Sequence, residues 1–197
     1  MLRWALLLAV SLPAQSLWAQ DRSVYGVRPN GQALRSLAAP GTHAVVLFFV
    51  ASDCPIANRT FPEMKHLREE FSPRGVRFWF VYANKGEQPQ QVQQHQAAYD
   101  SGGEAVLDTA GTLAAMSGAR VTPEVAVLVP DLAAQWRTVY IGRIDDRFVS
   151  IGQERPYATK HFAEQALNAV LSGGHVETAT GDPIGCSIIS PGESLTR

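Results

Sequence analysis

Two cysteines, Cys54 and Cys186, are the residues of this 197-residue chain best placed to do chemistry. Cys54 stands where the apolar run Ala44-Val45-Val46-Leu47-Phe48-Phe49-Val50 gives way to a segment with helical spacing. Backbone N–H groups and the dipole at a helix start favour a thiolate over a thiol. That thiolate is the nucleophile of disulfide exchange and of peroxide reduction. Further along, Val121-Thr122-Pro123-Glu124 leads straight into a second apolar run, Val125-Ala126-Val127-Leu128-Val129. A strand that delivers a cysteine to a helix start, faced by a Thr-Pro that opens another strand, is one way to build a thiol site.

The setting of Cys54 leaves two readings open. Free cysteine is among the most buried residue types, so a structural thiol is one of them. The polar lead-in Ser52-Asp53 favours the other, an accessible and reactive sulfur. Asp53 either disfavours the thiolate by like charge or caps the helix. Cys186 has three readings: a resolving thiol for an oxidised Cys54, one end of a permanent disulfide with it, or an independent ligand or intermolecular thiol. The Gly- and Pro-bearing tail around Cys186 suits a thiol that approaches and retreats.

The remaining polar residues carry weaker signals. His43, His66, His95, His161 and His175 show no metal-ligand spacing, and each reads as a surface residue or a satisfied polar contact. Asp145 and Asp146 read as a solvated turn, with His161 placed to approach them. Arg143 and Arg147 are candidates for stabilising a thiolate or an anionic substrate.

The elements that must position these residues follow from apolar periodicity. Ala44–Val50 is a buried strand by its length and lack of alternation. Ile56, Phe61, Met64, Leu67 and Phe71 fall at helical spacing, with Pro62 expected to kink the helix, and Ser72-Pro73-Arg74-Gly75 ends it. Val76–Tyr82 is a strand, and the glutamine-rich segment Gln88–Tyr99 an exposed helix started by Pro89. Ala105–Leu107 is a short strand, Thr109–Ser117 a short helix closed by Gly118. Glu124–Val129 and Arg137–Gly142 form a hairpin around Pro130-Asp131. Thr159–Leu171 is an amphipathic helix stopped by Gly173-Gly174. Residues 21–41 are a loop-rich lead-in with one short strand, and His175–Arg197 is a tail. This alternation predicts an α/β fold, a central mixed β-sheet flanked by helices.

The chain resembles the thioredoxin-like redoxins of the alkyl hydroperoxide reductase/thiol-specific antioxidant superfamily, over roughly Val24 to Leu171. The family's strand followed by aromatic-Ala-x-x-Cys is matched by Phe48-Phe49-Val50-Ala51-Ser52-Asp53-Cys54, and its helix-kinking proline by Pro62. Its cis-proline facing the reactive sulfur is matched by Pro123, with Thr122 before it. The resemblance therefore implies a thioredoxin-like fold, a cis Thr122–Pro123 bond, and a Thr122 backbone offered to a bound thiol partner. The segment Gly142-Arg143-Ile144-Asp145-Asp146-Arg147 and the tail Thr180-Gly181-Asp182-Pro183-Ile184-Gly185-Cys186 resemble an extracytoplasmic redoxin subgroup found alone or fused to cytochrome domains. That subgroup has a single active-site cysteine and a Gly-Cys tail. The departures bear on activity. Ala57 stands where a Cys-x-x-Cys motif has its second thiol, which excludes a dithiol cycle within the motif. Leu47 and Ala51 stand where typical peroxiredoxins have a proline and a peroxide-orienting hydroxyl. Asn58 stands where the Sco-type copper proteins, another branch of the fold, have their second cysteine.

Composition sets the outer bounds. The formal net charge is −1 and Lys and Arg are scattered, which argues against nucleic acid or an anionic membrane as partner. Met1-Leu2-Arg3, the apolar stretch Trp4–Leu12 and Leu17-Trp18-Ala19 predict a signal peptide over residues 1–19. Residues 20–174 then form the domain and 175–197 the tail carrying Cys186. The mature protein is expected in the periplasm or secreted, without stable membrane insertion after signal cleavage. An even cysteine count in such a compartment allows a disulfide.

These readings converge on a thiol-based redox protein. It is a thiol-disulfide oxidoreductase or peroxiredoxin-like peroxide reductase with Cys54 as attacking sulfur, Cys186 as second thiol and Thr122-Pro123 shaping the docking face. It needs no cofactor and no metal. Its partners are a thiol or disulfide protein or a peroxide, with a cytochrome or other redox protein as electron partner. The alternatives are a Sco-like copper carrier using Cys54, Cys186 and a histidine, since soft thiolates suit Cu(I), and a redoxin fold kept as an interaction module.

Overall fold

A computed structural model describes residues 24–131, 135–178 and 181–189. The expected signal peptide, residues 1–19, lies outside them, as does the chain end from 190 to 197. The elements in chain order are β1 (Gly26–Val27), β2 (Ala33–Leu34), β3 (Ala44–Val50), α1 (Pro55–Phe71), β4 (Val76–Tyr82), α2 (Pro89–Ala98), β5 (Glu104–Leu107), α3 (Thr112–Ser117), β6 (Val121–Thr122), β7 (Glu124–Pro130), β8 (Trp136–Gly142), β9 (Phe148–Ser150), β10 (Gln153–Glu154), α4 (Phe162–Ser172) and β11 (Cys186–Ser187). Among the described residues no helix is long and apolar enough to cross a membrane.

Strands β2-β1-β5-β4-β3-β7-β8 make one seven-stranded sheet. The sheet is mixed: β3, β4 and β5 run parallel, while β7 and β8 continue it antiparallel on one side and β1 on the other. Every residue of β3 is buried, because helices cover one face of this central strand and a helix and the lead-in cover the other. That two-sided burial is why its sequence is continuously apolar rather than alternating. Val46, Phe48 and Val50 pack with Phe61, Met64 and Leu67 of α1 and Ala163 and Leu167 of α4. Val45, Leu47 and Phe49 pack with Leu113 and Ala114 of α3 and with Leu34 and Leu37. Trp79 is fully buried on this second face, and its indole N–H donates to the Leu37 carbonyl at 3.0 Å, which removes the cost of burying that donor.

The expected α/β architecture is the one observed, with local differences. The lead-in holds two short strands rather than one, pairing Gly26–Val27 with Ala33–Leu34. α1 continues through Pro62 to Phe71. α2 is not simply exposed, since it buries Val92 and His95. α3 begins at Thr112 instead of Thr109, because Gly111 takes a left-handed conformation (φ 71°) and the Gly111 N–H closes a turn onto the Asp108 carbonyl at 2.9 Å.

Asp145 and Asp146 overturn the solvated-turn expectation, being only 9% and 7% exposed. The Asp146 carboxylate accepts from the Thr159 N–H (2.6 Å), the Thr159 hydroxyl (2.6 Å) and the Lys160 N–H (2.9 Å), and pairs with Arg155 at 3.3 Å. Burial works to raise its pKa, but these Thr159 and Lys160 donors and the Arg155 charge outweigh it and hold the carboxyl well below the usual range. α4 starts at Phe162 and not at Thr159, and the backbone N–H groups of residues 159 and 160 are held by Asp146. Asp145 accepts the Arg147 N–H at 2.9 Å, and burial pushes its carboxyl upward. Both aspartates shape the loop between β8 and α4.

Candidate functional site

Cys54 occupies the last extended position before α1, with φ −86° and ψ 109° and Pro55 following at the first helical position. Asp53 does not cap the helix. Cys54 itself is the boundary residue, no side chain caps the helix start, and Asp53 is exposed. The turn before Cys54 is pinned from the neighbouring segment. The Ser52 N–H and hydroxyl donate to the two oxygens of Glu87, each at 2.8 Å, and the Gln91 amide donates to Ser52 Oγ at 2.9 Å. The Asn58 amide, one helical turn on, donates back to the Ser52 carbonyl at 3.3 Å.

Opposite stands the Thr122–Pro123 peptide, which is cis. The Cys54 thiol donates to the Thr122 carbonyl at 3.1 Å. The third component is the tail. Cys186 pairs with Thr122 and Ser187 with Val121 as a short antiparallel ladder, extended by the Ile188 N–H donating to the Arg120 carbonyl at 2.8 Å. This places Cys186 Sγ 2.7 Å from Cys54 Sγ, both as free thiols in hydrogen-bond contact. All four sequence-nominated residues, Cys54, Cys186, Thr122 and Pro123, therefore meet at one point. The Gly- and Pro-bearing tail includes a short strand at its critical residue.

The docked tail also corrects the expectation of an accessible sulfur, because Cys54 is 0% exposed. The cause is geometric: the ladder on β6 lays Gly185 and Cys186 across the mouth of the strand-to-helix junction. Gly185 makes this approach feasible. A Cβ at that position would lie 2.1 Å from the Thr122 carbonyl oxygen and 3.0 Å from Pro123 N, so any side chain would push the tail away. Burial, the Cys54 thiol and its charge, and the nearby Asp53 push the Cys186 thiol up to about 12. While docked it therefore keeps its proton at neutral pH.

The arginines named from sequence do not reach the sulfurs. The Arg143 guanidinium donates to the Asp145 carbonyl at 3.2 Å and to the Phe148 carbonyl, and Arg147 pairs with Glu154 at 3.4 Å. Among the described residues no three His, Cys, Asp or Glu side chains gather into a group able to hold a metal. His161 faces Glu63 at 3.2 Å and His66 faces Glu70 at 3.5 Å.

His95 is the residue whose importance the sequence conceals. It is buried behind the active-site helix, where its Nε2 meets Asn58 Oδ1 at 2.8 Å and its Nδ1 meets the Tyr82 hydroxyl at 2.7 Å. An amide oxygen only accepts, so Nε2 carries the proton and Nδ1 accepts from Tyr82. The Gln96 amide then donates to Tyr82 at 2.6 Å. A continuous chain thus runs from the Ser52 turn through Asn58 and His95 to Gln96. Burial holds the His95 imidazole below its ordinary value of 6.5, so the native state binds fewer protons than the unfolded state near that pH. The stability contributed by the neutral ring is full above 6.5 and is lost as pH falls below it. The unfolding temperature of the wild type is expected to drop further between about pH 7 and about pH 5 than that of a His95→Asn variant. Parallel pH profiles for the two proteins would refute this.

Solved structures share the fold. An uncharacterized conserved protein from Geobacillus kaustophilus superposes with a TM-score of 0.69 at 22% identity, over 88% of this chain and 92% of that one. A hypothetical protein from Sinorhizobium meliloti 1021 gives 0.65 at 20% identity, over 87% and 97%. An uncharacterized thioredoxin-like protein from Porphyromonas gingivalis gives 0.53 at 18% identity, over 77% and 92%. No curated protein matches the chain. The fold is thioredoxin-like, as expected, a central mixed sheet flanked by helices. The model of the AhpC/TSA family matches residues 21–146, more than half of the sequence, and the chain belongs to that family of thioredoxin-like redoxins.

Proposed function

We propose that the protein is an extracytoplasmic thiol-disulfide oxidoreductase in which Cys54 is the attacking sulfur and Cys186 its resolving partner. The observation that carries this reading is the meeting of the two sulfurs, 2.7 Å apart, at a helix start and against the Thr122 carbonyl. Little movement separates that contact from a covalent bond of about 2.05 Å. In the forward direction Cys54, as thiolate, attacks one sulfur of a substrate disulfide, and the substrate's other sulfur leaves as a thiolate. Cys186 then attacks Cys54 Sγ, the second substrate thiol departs, and a Cys54–Cys186 disulfide remains. Two electrons pass to the substrate, and the two protons lost by Cys54 and Cys186 end on its thiols. An external dithiol, or a cytochrome-linked redox partner acting through one, restores the reduced pair. No cofactor enters.

Disulfide exchange is preferred over peroxide reduction because Ala51 supplies no hydroxyl to orient a peroxide. Residues 1–19 act as the signal peptide that directs the chain to the periplasm or exterior, 20–174 as the catalytic domain and 175–197 as the tail that delivers Cys186. The single active-site cysteine and the Gly-Cys tail support membership of the extracytoplasmic redoxin subgroup that the sequence resembles.

Mass spectrometry of the purified mature protein provides the test. Treatment with a small-molecule disulfide should yield a species lighter by two hydrogens, with a Cys54–Cys186 crosslink in its peptide map. Dithiol reductant should reverse it. Two thiols that persist unchanged, or a crosslink that no reductant opens, would rule the reading out.

A further inference from the structure

Resting on the exchange reading above, we propose that Glu87 is a positioning residue for Cys54. With Gln91 and His95 it makes α2 the element that holds the attacking sulfur in place.

The start of α1 does not hold itself. No side chain caps it, Pro55 brings no N–H to it, and Asp53 is exposed. The Cys54 N–H closes only a short turn, onto the Ala51 carbonyl at 3.2 Å. What fixes the turn is Ser52, whose polar groups are all engaged. Its N–H and its hydroxyl each donate to one oxygen of Glu87, both at 2.8 Å. Its Oγ accepts from the Gln91 amide at 2.9 Å, and its carbonyl from the Asn58 amide at 3.3 Å. A carboxylate that takes two donors from one residue sets the rotation of that residue as well as its place. Two residues on, the sulfur is held where its thiol meets the Thr122 carbonyl at 3.1 Å and Cys186 Sγ at 2.7 Å.

These contacts come from one side of α2. Glu87, just before the helix, and Gln91 and His95 on it follow at intervals of four, the spacing of a single helix face. Glu87 and Gln91 reach Ser52 directly. His95 reaches it through Asn58, at the end of a row of donors that all point one way. The Ser101 hydroxyl donates to Gln96, the Gln96 amide to Tyr82, Tyr82 to His95 Nδ1, and Nε2 to Asn58 Oδ1. That order leaves the Asn58 N–H groups free to face the Ser52 carbonyl. Val92 is fully buried and anchors the helix to the core. Glu87 is half-buried and Gln91 exposed, so neither is a core residue. The polar sequence of α2 finds its use at the turn that carries the sulfur.

The test uses the full chain with Gly185→Ala and Cys186→Ser, so that the tail is pushed aside and Cys54 is the only thiol. Cys54 thiolate attacks one sulfur of a symmetric aromatic disulfide, and the S–S bond breaks. A mixed disulfide remains on Cys54, and the coloured aryl thiolate that leaves reports the rate. Adding Glu87→Ala should slow release about tenfold or more, since the attacking group is no longer held in line. Glu87→Gln keeps an oxygen for the Ser52 N–H and should bring the rate back to within about threefold of the parent. Charge alone predicts the opposite sign, because removing a carboxylate beside an attacking thiolate would speed it. Asn58→Ala releases the Ser52 carbonyl and should slow the reaction in the same sense with Glu87 untouched. Release from Glu87→Ala as fast as from the parent, or from Glu87→Gln as slow as from Glu87→Ala, would overturn the proposal. A parent inert to the aromatic disulfide would instead overturn the exchange reading itself.

Discussion

A Cys54→Ser protein is expected to fold normally and to lose disulfide exchange to background. The serine hydroxyl can donate to the Thr122 carbonyl as the thiol does, so stability in reductant should move by less than about 1 kcal/mol. A hydroxyl, unlike a thiol, cannot attack a disulfide and be released again. Cys186→Ser should fail differently: it should take up one equivalent of a mixed disulfide at Cys54 and then stop, for want of the resolving sulfur. Turnover assays with quenched samples separate the two outcomes. Multiple turnovers by Cys54→Ser would remove the nucleophile assignment. Because the two cysteines lie 132 residues apart, oxidation of the wild type closes a long loop. In the chain-entropy model that closure contributes about 4–5 kcal/mol, visible as a higher denaturant midpoint for the oxidised protein.

Phe61→Ala should cost about 3–5 kcal/mol, a large loss for a single core change away from the sulfurs. Phe61 is 1% exposed and lies at the centre of an aromatic group. Its ring stacks on Phe80 at 5.3 Å and on Tyr99 at 4.8 Å, and meets the edge of His95 at 5.1 Å. Truncation therefore removes apolar burial from α1 and also the wall that keeps His95 dry. A further expected result is a His95 that titrates closer to its ordinary value in the variant, read by NMR. Urea unfolding measures the stability loss. A change below about 1 kcal/mol would mean that the surrounding rings repack to fill the space.

The fold was legible because its signals are local. The run Ala44–Val50 has the continuous apolarity of a strand buried on both faces, and Cys54 follows it at a helix start. The Thr122-Pro123 step before a second buried strand completes the pattern. What stayed hidden depends on residues far apart in sequence. Burial of Cys54 is produced by a segment more than a hundred residues away, and the decisive residue there, Gly185, has no side chain to announce its role. His95 sits in a polar, glutamine-rich helix whose composition suggests exposure, and only the approach of Asn58 and Tyr82 makes it an interior residue. Asp146 looks like any acidic turn residue until residues 159 and 160 return to meet it.

The position of Cys186 along the chain has a consequence for the order in which the protein is made. Among the described residues every strand of the large sheet and every helix, from Gly26 to Ser172, precedes it. Domains fold as their residues emerge during synthesis. The sheet can therefore assemble before the segment that covers Cys54 has docked on β6. Until that segment docks, the junction of β3 and α1 presents a bare sulfur to any neighbouring polypeptide, and the shielding of Cys54 follows the assembly of the sheet instead of accompanying it.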